Sequence, residues 1–416
     1  MNLNCHNYFV FPKRLSRAVC HLVTFALASL IVLSCRSDLE SEFFFQNQNC
    51  TVFNDSLIFE FLAEKSFERD SLTPAMSYSV GIHEGDNSDT IFISNLSAAE
   101  DFINIYNYIQ GNLVSKIPLF PEGPNGVGFG NGLMAHRMIN SDSVLVYNYY
   151  LLSMFLLDGE GNLIRKYSIQ ERYVSGQDEA IPWPSSMRPI IVVQDKAYLM
   201  GSLIKSEIEN KEQAGMVISV DLQTGEVKRF LSRSEVYDWG NWNSHNLKHD
   251  LFGDFNPLTG RFVYSFAADP FLYETDHDEF FKKHFVGSQF FQKILPMGFD
   301  KRERYDSEKV EFFDKTTPSF HKLIFDKHRR LYYRFCFLPL TESEYVPSSG
   351  VYNAKESIII LDEDFRKVGE FLLPRFTYEF YNFFLTKEGL HLKLKSELEV
   401  SDDVSTYHIF RVVAKK

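Results

Sequence analysis

The sequence predicts an all-β protein, and within that class a six-bladed β-propeller. First, short apolar runs rich in Val, Ile, Tyr and Phe recur between turn residues, as strands joined by hairpins do. Second, groups of four runs recur with a period of roughly 45–60 residues, which suits four-stranded blades. Third, the 40 Phe and 21 Tyr among 416 residues favour β-structure with aromatic packing. The copies are irregular, so a β-sandwich or a pair of β-domains is the alternative.

The copy at residues 142–169 is the most regular. Its apolar runs lie at residues 143–150, 152–157 and 163–169, and the turn sequence Asp-Gly-Glu-Gly-Asn separates the last two. An aliphatic residue followed by Asp leads into this turn, and that step recurs in other copies at Leu157-Asp158, Val220-Asp221 and Leu361-Asp362. The other full copies cover residues 76–119, 188–231, 247 onward and 319–373.

The two ends of the chain are predicted to share the last blade. The final copy, after residue 373, has only three apolar runs, and the run at residues 57–62 has no copy of its own. Closure of a propeller removes the exposed edges of its sheets. We therefore expect the N-terminal strand to close the last blade.

The fourth copy departs from the pattern. In residues 274–291, Phe and His recur at helical spacing after Asp276, Asp278 and Glu279, and acidic residues suit a helix N-terminus. The sequence therefore predicts a short helix there, followed by a charged loop at residues 296–315.

The N-terminus has the pattern of a secretory signal peptide. A basic patch at residues 13–17 precedes the apolar run 18–34, which ends at Cys35. The sequence Val32-Leu33-Ser34-Cys35 resembles a bacterial lipobox, which implies cleavage before Cys35 and lipid attachment to it. An uncleaved membrane anchor is the alternative, but the run is short for a membrane span and contains His21.

These signals predict three segments and a location. Residues 1–34 form the signal peptide, 35–53 a lipidated tether and 54–416 the propeller. The acidic residues after Cys35 resemble the export tag of surface lipoproteins in the Bacteroidota. We therefore expect an exported outer-membrane lipoprotein, facing the periplasm or the cell surface, with the membrane as a partner through its acyl chains.

Charge and cysteine content limit the partners. The net charge of −12 argues against nucleic acid, because phosphate binding needs a basic surface. An oxidising envelope would allow Cys50 and Cys336 to pair. However, Cys336 lies in an apolar strand pattern, where a buried thiol is the commoner outcome.

The repeats and one loop between them carry a family resemblance. The glycine- and proline-containing loop at residues 122–128 is similar to that of NHL-type propellers. With the leader and the turns, the chain resembles uncharacterised, TolB-like six-bladed propeller lipoproteins of the Bacteroidota, over residues 54–416. This resemblance implies the fold, but no activity and no catalytic residues.

Two stretches carry residue types that bind metals. The stretch 158–162 could be a calcium loop, but Leu163 replaces the turn glycine and no Glu stands at the twelfth position, so a hairpin is favoured. His245 and His249 would share one face of a helix and could hold zinc, but in a strand they would lie about 13 Å apart. The sequence therefore predicts no metal and no cofactor.

Three tryptophans provide the best candidate for a binding site. Trp183, Trp239 and Trp242 precede the first strands of two blades, so a propeller would place them on one face. Their rings could stack on a sugar or a peptide, or else fill gaps between blades. Polar contacts on that face would come from Arg188, His136 and Arg137.

The sequence favours a binding or scaffold module for a glycan, a peptide or an envelope protein over an enzyme. It has no GxSxG elbow, no phosphate-binding glycine loop and no CxxC pair. The alternatives are an envelope hydrolase or lyase with its site at the channel mouth, and a TolB-like role in an envelope complex. A plugged or apolar channel would favour binding, whereas buried carboxylates, histidines or a metal there would favour an enzyme.

Overall fold

The strands form six antiparallel sheets, each of which is one blade of a propeller. The computed structural model describes residues 55–69, 79–84, 91–97, 101–129, 133–169, 180–202, 215–242, 247–298, 305–347 and 355–415. The predicted signal peptide, Cys35 and Cys50 lie outside these residues. The prediction of an all-β, six-bladed propeller is confirmed.

The strands follow the chain in order, apart from β1 (Leu57–Glu68), which belongs to blade 6. Blade 1 contains β2 (Val80–Glu84), β3 (Ile91–Ser97), β4 (Phe102–Asn107) and β5 (Leu113–Pro118). Blade 2 contains β6 (Leu133–Asn140), β7 (Ser143–Asn148), β8 (Ser153–Asp158) and β9 (Leu163–Ser168). Blade 3 contains β10 (Ile181–Pro182), β11 (Ile191–Val193), β12 (Lys196–Ser202), β13 (Val217–Asp221) and β14 (Val227–Phe230).

The second half of the chain is built in the same way. Blade 4 contains β15 (Leu251–Asn256), β16 (Arg261–Phe266), β17 (Phe271–Thr275) and β18 (Phe281–Phe285), and the helix α1 (Ser307–Thr316) follows it. Blade 5 contains β19 (Ser319–Asp326), β20 (Leu331–Leu338), β21 (Lys355–Leu361) and β22 (Lys367–Leu372). Blade 6 contains β23 (Tyr378–Leu385), β24 (Leu390–Leu394), β25 (Val404–Ala414) and β1.

The first strands of the blades surround the axis. Strand β2 contacts both β6 and β23, and β15 contacts β19. At the outside of blade 6, β1 is antiparallel to β25 from the pair Leu57 and Ala414 to the pair Glu68 and Val404. The ring of Phe59 in β1 also packs 5.1 Å from the ring of Tyr333 in blade 5. The two ends of the described chain therefore lie in one sheet.

The molecule has two distinct faces. The connections between blades, and the hairpins between second and third strands, lie on what we call the connection face. The hairpins between first and second strands, and between third and fourth strands, lie on the opposite side, the hairpin face. This alternation follows from antiparallel pairing, because each strand returns the chain to the side from which it came.

The stretch 158–162 is a hairpin turn between β8 and β9. The Asp158 carboxylate accepts hydrogen bonds from the backbone N–H of Glu160 at 2.9 Å and of Asn162 at 2.8 Å. Gly161 follows with a φ of +81°, which glycine adopts without strain. The oxygens that a calcium ion would need are therefore engaged by the turn itself.

Two predictions for the fourth copy are wrong. Residues 274–291 contain no helix; β17 and β18 pair there as an ordinary hairpin. Asp276 accepts N–H groups of Asp278 and Phe280, both at 2.9 Å, so it shapes a turn. The predicted loop at 296–315 contains most of α1, which begins after Asp306, whose side chain accepts the N–H of Lys309 at 2.8 Å.

Cys336 lies in the core, as its apolar surroundings predict. It is fully buried in β20, and burial raises the pKa of its thiol well above the usual value. Aromatic rings supply much of the packing between blades, so the high Phe and Tyr content finds its explanation in these interfaces.

Candidate functional site

The first strand of blade 3 is interrupted by a loop. Strand β10 pairs with the end of β12, where Pro182 lies opposite Gly201, and β11 pairs with the start of β12, where Ile191 lies opposite Tyr198. Between them, residues 183–190 leave the sheet and return to it. Ser185 and Arg188 exchange two backbone hydrogen bonds of 3.1 Å, which fold this segment on itself. We call residues 183–190 the plug loop.

The plug loop crosses the axis of the propeller. The Ser186 hydroxyl accepts a hydrogen bond of 2.8 Å from the backbone N–H of Val80 in blade 1. Blades 1 and 3 are not neighbours in the ring, so this contact spans the channel. Met187 is buried in the same apolar cluster as Phe252 of blade 4 and Phe335 of blade 5. The loop therefore closes the channel at the connection face.

A buried ion pair ties the plug loop to blade 4. Arg188 lies 2.7 Å from the carboxylate of Asp250, and the two side chains are only 3% and 5% exposed. Burial raises the pKa of Asp250, while the charge of Arg188 and a hydrogen bond from Ser202 lower it. The Arg188 guanidinium also lies 5.6 Å from the ring centroid of Phe252. Arg188 is thus committed to the fold rather than presented to solvent.

Asp254 and Arg137 lie further along the inner strands. The Asp254 carboxylate accepts the backbone N–H groups of Phe255 and of Phe325, both at 2.8 Å, and so bridges blades 4 and 5. Burial raises the pKa of Asp254 to about 6, and the charge of Arg137 acts in the opposite direction. Burial also lowers the pKa of Arg137. These two groups are buried opposite charges on the inner strands β15 and β6.

His136 links blades 1 and 2. Its Nδ1 lies 2.9 Å from the Ser79 hydroxyl and its Nε2 lies 2.7 Å from the Ser94 hydroxyl. Burial lowers the pKa of His136 to about 3, so the imidazole is neutral at physiological pH. Both nitrogens are occupied, which gives this residue a structural role in the blade interface.

The three tryptophans have different environments on the connection face. Trp242 is 1% exposed, and its indole N–H donates to the carbonyl of Val236 at 3.1 Å. It fills a gap next to Tyr237 and offers no ring face to solvent. Trp239 is 36% exposed, and Trp183, at the start of the plug loop, is half-buried. Only these last two could contact a ligand without rearrangement.

Trp183 belongs to an aromatic cluster that sequence reasoning did not find. Its ring lies 4.6 Å from that of Tyr149, which lies 5.6 Å from that of Tyr150. Tyr150 is 65% exposed, and Phe129, in the connection before blade 2, is 62% exposed. We call Tyr149, Tyr150 and Trp183 the aromatic patch. The sequence predicts that the two tyrosines belong to a strand, but β7 ends at Asn148. Two bulky rings next to a turn are the sequence feature that could have indicated this cluster.

His245 and His249, the pair that could hold zinc on a helix, are not both among the described residues. His245 lies outside the described residues, and His249 is buried with its ring stacked 5.2 Å from that of Tyr237. Within the described ranges, no group of three or more His, Cys, Asp and Glu side chains is placed to hold a metal ion. In the same part of the chain, no helix has the length and hydropathy of a membrane span.

The fold and the plugged axis define a class, a six-bladed β-propeller closed on its connection face. A solved structure of a member of the DUF4221 family from Bacteroides vulgatus is 19% identical, covers 87% of this chain and 100% of its own, and superposes with a TM-score of 0.70. A candidate exported protein from Bacteroides fragilis is 10% identical, with 87% and 96% coverage and a TM-score of 0.51. Curated proteins gave no match.

The family follows from the sequence match. The model of the family described as Domain of unknown function (DUF4221) matches residues 58–372, which is more than half of the chain. The chain therefore belongs to the DUF4221 family. This family resemblance includes the propeller fold but assigns no role to any residue.

Proposed function

We propose that this protein is a binding or scaffold module of the cell envelope rather than an enzyme. The observation that carries the proposal is the plug loop, because it fills the channel end where propeller enzymes of the alternative type would hold a substrate. Two buried carboxylates near it are engaged: Asp250 pairs with Arg188, and Asp254 accepts two backbone N–H groups. A hydrolase or lyase at this mouth would need some of these groups to be free.

The aromatic patch is the surface that we assign to the ligand. Tyr149 and Trp183 fix each other at 4.6 Å, so their exposed faces are held in place before any ligand arrives. Aromatic rings in this arrangement stack well on the apolar faces of sugars and on peptide side chains. A glycan or an extended peptide is therefore the ligand class that we expect.

A glycan array and a peptide array would test this assignment. The double variant Trp183→Ala, Tyr150→Ala should lose at least about tenfold in affinity for any ligand that the native protein captures, a loss of about 1.4 kcal/mol. Phe376→Ala is the matched control, since Phe376 is 50% exposed but lies before blade 6. Equal binding by the native protein and the double variant would refute the role of the patch.

The envelope address is a second part of the proposal. We infer that Cys35 carries lipid and that residues 36–53 tether the propeller to the outer membrane. The resemblance to TolB-like and NHL-like propeller lipoproteins supports this inference. The description of the Bacteroides fragilis relative as a candidate exported protein supports export. Metabolic labelling with a fatty-acid analogue should disappear in Cys35→Ala, and persistent labelling would exclude lipidation at this residue.

We also propose that β1 has a closing role. Its pairing with β25 supports this role, because an antiparallel partner along Leu57–Glu68 covers the edge of β25. Removal of residues 55–68 should lower the melting temperature and promote aggregation.

A further inference from the structure

A cavity of about 440 Å³ lies between blades 3 and 4, and neither the plug loop nor the aromatic patch contributes to it. One wall is the end of β14 and the segment 231–235 that follows it. The other wall is formed by β17, β18 and the hairpin between them. Small-molecule sites in proteins have volumes of roughly 300–1,000 Å³, so this cavity has the size of a real site.

Aromatic rings form the apolar part of the cavity. Phe230 stacks on His277 with ring centroids 4.6 Å apart and an interplanar angle of 12°. Tyr273 and Phe281 lie opposite, with their rings 5.9 Å apart, and Phe281 is 54% exposed. Exposure of so large an apolar ring to water costs free energy. A planar ligand that covered the ring would remove this cost. The cavity therefore suits a molecule with one aromatic ring.

Two buried nitrogen atoms of the lining residues are unsatisfied. The Arg233 side chain is 4% exposed, and its Nη2 donates to Asp238 at 2.7 Å. Its Nη1 has no hydrogen-bond partner among the residues that the structure describes, and the same holds for Nδ1 of His277. Burial lowers the pKa of His277 to about 4, so this ring is neutral. A buried donor without an acceptor is costly, and a ligand oxygen would relieve that cost.

A cation completes the site. Lys283 lines the cavity, is 40% exposed and lies 5.2 Å from the ring centroid of Tyr273. Its ion pair with Glu235 is long, at 4.0 Å, and the Glu235 side chain is 88% exposed, so solvent screens this pair. Asp278 is also exposed at the cavity lining. Both carboxylates are exposed, so solvent screens their repulsion of an anionic ligand.

We propose that this cavity binds a small aromatic carboxylate. The ring packs against the exposed side of Phe281, beside Tyr273, and the carboxylate accepts hydrogen bonds from Lys283 Nζ and from Nη1 of Arg233. Hydrogen bonds from charged donors to a carboxylate are stronger than those between neutral groups, and the low exposure of Arg233 strengthens the interaction further. The site is independent of the aromatic patch, because no residue is shared between them.

The test uses 4-fluorophenylacetate as the probe, followed by ¹⁹F NMR in a titration of the full chain. The expected result is saturable broadening of the probe signal. The amine 4-fluorophenethylamine and the methyl ester of the acid, which have the ring but not the anion, should bind at least about tenfold more weakly. Tighter binding of the amine would overturn the proposal, since it would assign the site to the exposed carboxylates.

Adjacent lysines supply a matched pair of variants. Lys282 and Lys283 are consecutive in β18 and point to opposite sides of the sheet, and only Lys283 lines the cavity. Lys283→Gln should weaken probe binding at least about tenfold, whereas Lys282→Gln should leave it unchanged. Both side chains are exposed enough for the fold to survive, which thermal melts would verify. Absence of saturable binding to the native chain, or equal binding by the two variants, would overturn the proposal.

Discussion

The two faces of the propeller are made by different means. On the hairpin face, successive blades use the same device at the turn between third and fourth strands, in which an Asn or Asp side chain accepts backbone N–H groups just after it. The residues in this position are Asn107, Asp158, Asp221, Asp276 and Asp362. The described segments of the connection face share no such repeated turn. The plug loop and α1, for example, differ in length and in conformation.

This difference separates scaffold from candidate site. A turn that is repeated in five blades stabilises the propeller fold and does not indicate a ligand-binding site. The plug loop, the aromatic patch and α1 each occur once among the described residues, and all lie on the connection face. One ion pair from each face shows the same contrast. Arg366 with Asp362 is exposed on the hairpin face, while Arg188 with Asp250 is buried on the connection face.

The largest expected effect comes from breaking the buried pair. Asp250→Ala leaves Arg188 buried without its partner, and removal of one member of a buried pair costs about 3–5 kcal/mol. Arg366→Ala, on the hairpin face, removes a side chain that is 73% exposed, and solvent screens such a surface pair, so the loss of stability should be much smaller. Urea unfolding of both variants would measure the contrast. Similar losses in the two variants would contradict the distinction between the faces.

The repeated turns explain both the success and the main failure of prediction from sequence. The step into the turn was visible at Asp158, Asp221 and Asp362, and it supported the repeats that the apolar runs define. The turn at Asn107 was not visible, because an amide replaces the carboxylate there. At Asp276 the sequence predicts the start of a helix instead of a turn. The predicted helix start and the observed turn cannot be told apart at Asp276 by its side chain. An Asp side chain accepts backbone N–H groups equally well in a turn and at a helix N-terminus.

The candidate site was less predictable, because it depends on contacts between distant residues. Nothing local in Ser185, Ser186 or Met187 indicates that the chain leaves the sheet there and reaches Val80. Likewise, Trp239 and Trp242 are three positions apart, yet one is exposed and the other is sealed by Tyr237 and the carbonyl of Val236. Burial of these two rings is decided by how the connecting segment folds, which sequence periodicity does not report.

A second, smaller effect should appear in the pH dependence of stability. The folded-state pKa of Asp254 is raised to about 6 by burial, so its ionisation opposes folding. Its contribution is most favourable below the pKa of the unfolded chain, declines as the pH rises towards 6, and then levels off. The neutral amide of Asp254→Asn avoids this loss. The free energy of unfolding of the variant minus that of the native protein should therefore be larger at pH 7.5 than at pH 4.5.

For Asp158 on the hairpin face, the pH dependence of stability should have the opposite sign. Hydrogen bonds from Asn162, then from the backbone, lower the pKa of Asp158. Its stabilising contribution is present above the unfolded pKa and declines as the pH falls, so Asp158→Asn should be most harmful at pH 7.5. Urea titrations of both variants at the two pH values would measure this. Parallel pH dependence in the two variants would show that the inner strands and the hairpin face do not differ as argued.

The smallest expected effect concerns the crossing of the axis itself. Ser186→Ala removes the acceptor of the Val80 N–H, a bond of 2.8 Å between non-adjacent blades, and should cost about 1 kcal/mol. Ser143→Ala is the control, since the Ser143 hydroxyl donates to Asn140 within a single hairpin. Hydrogen exchange at the Val80 amide should accelerate in Ser186→Ala and stay unchanged in Ser143→Ala. Unchanged exchange in both would mean that other contacts hold the plug loop, and that the Ser186 bond does not close the channel.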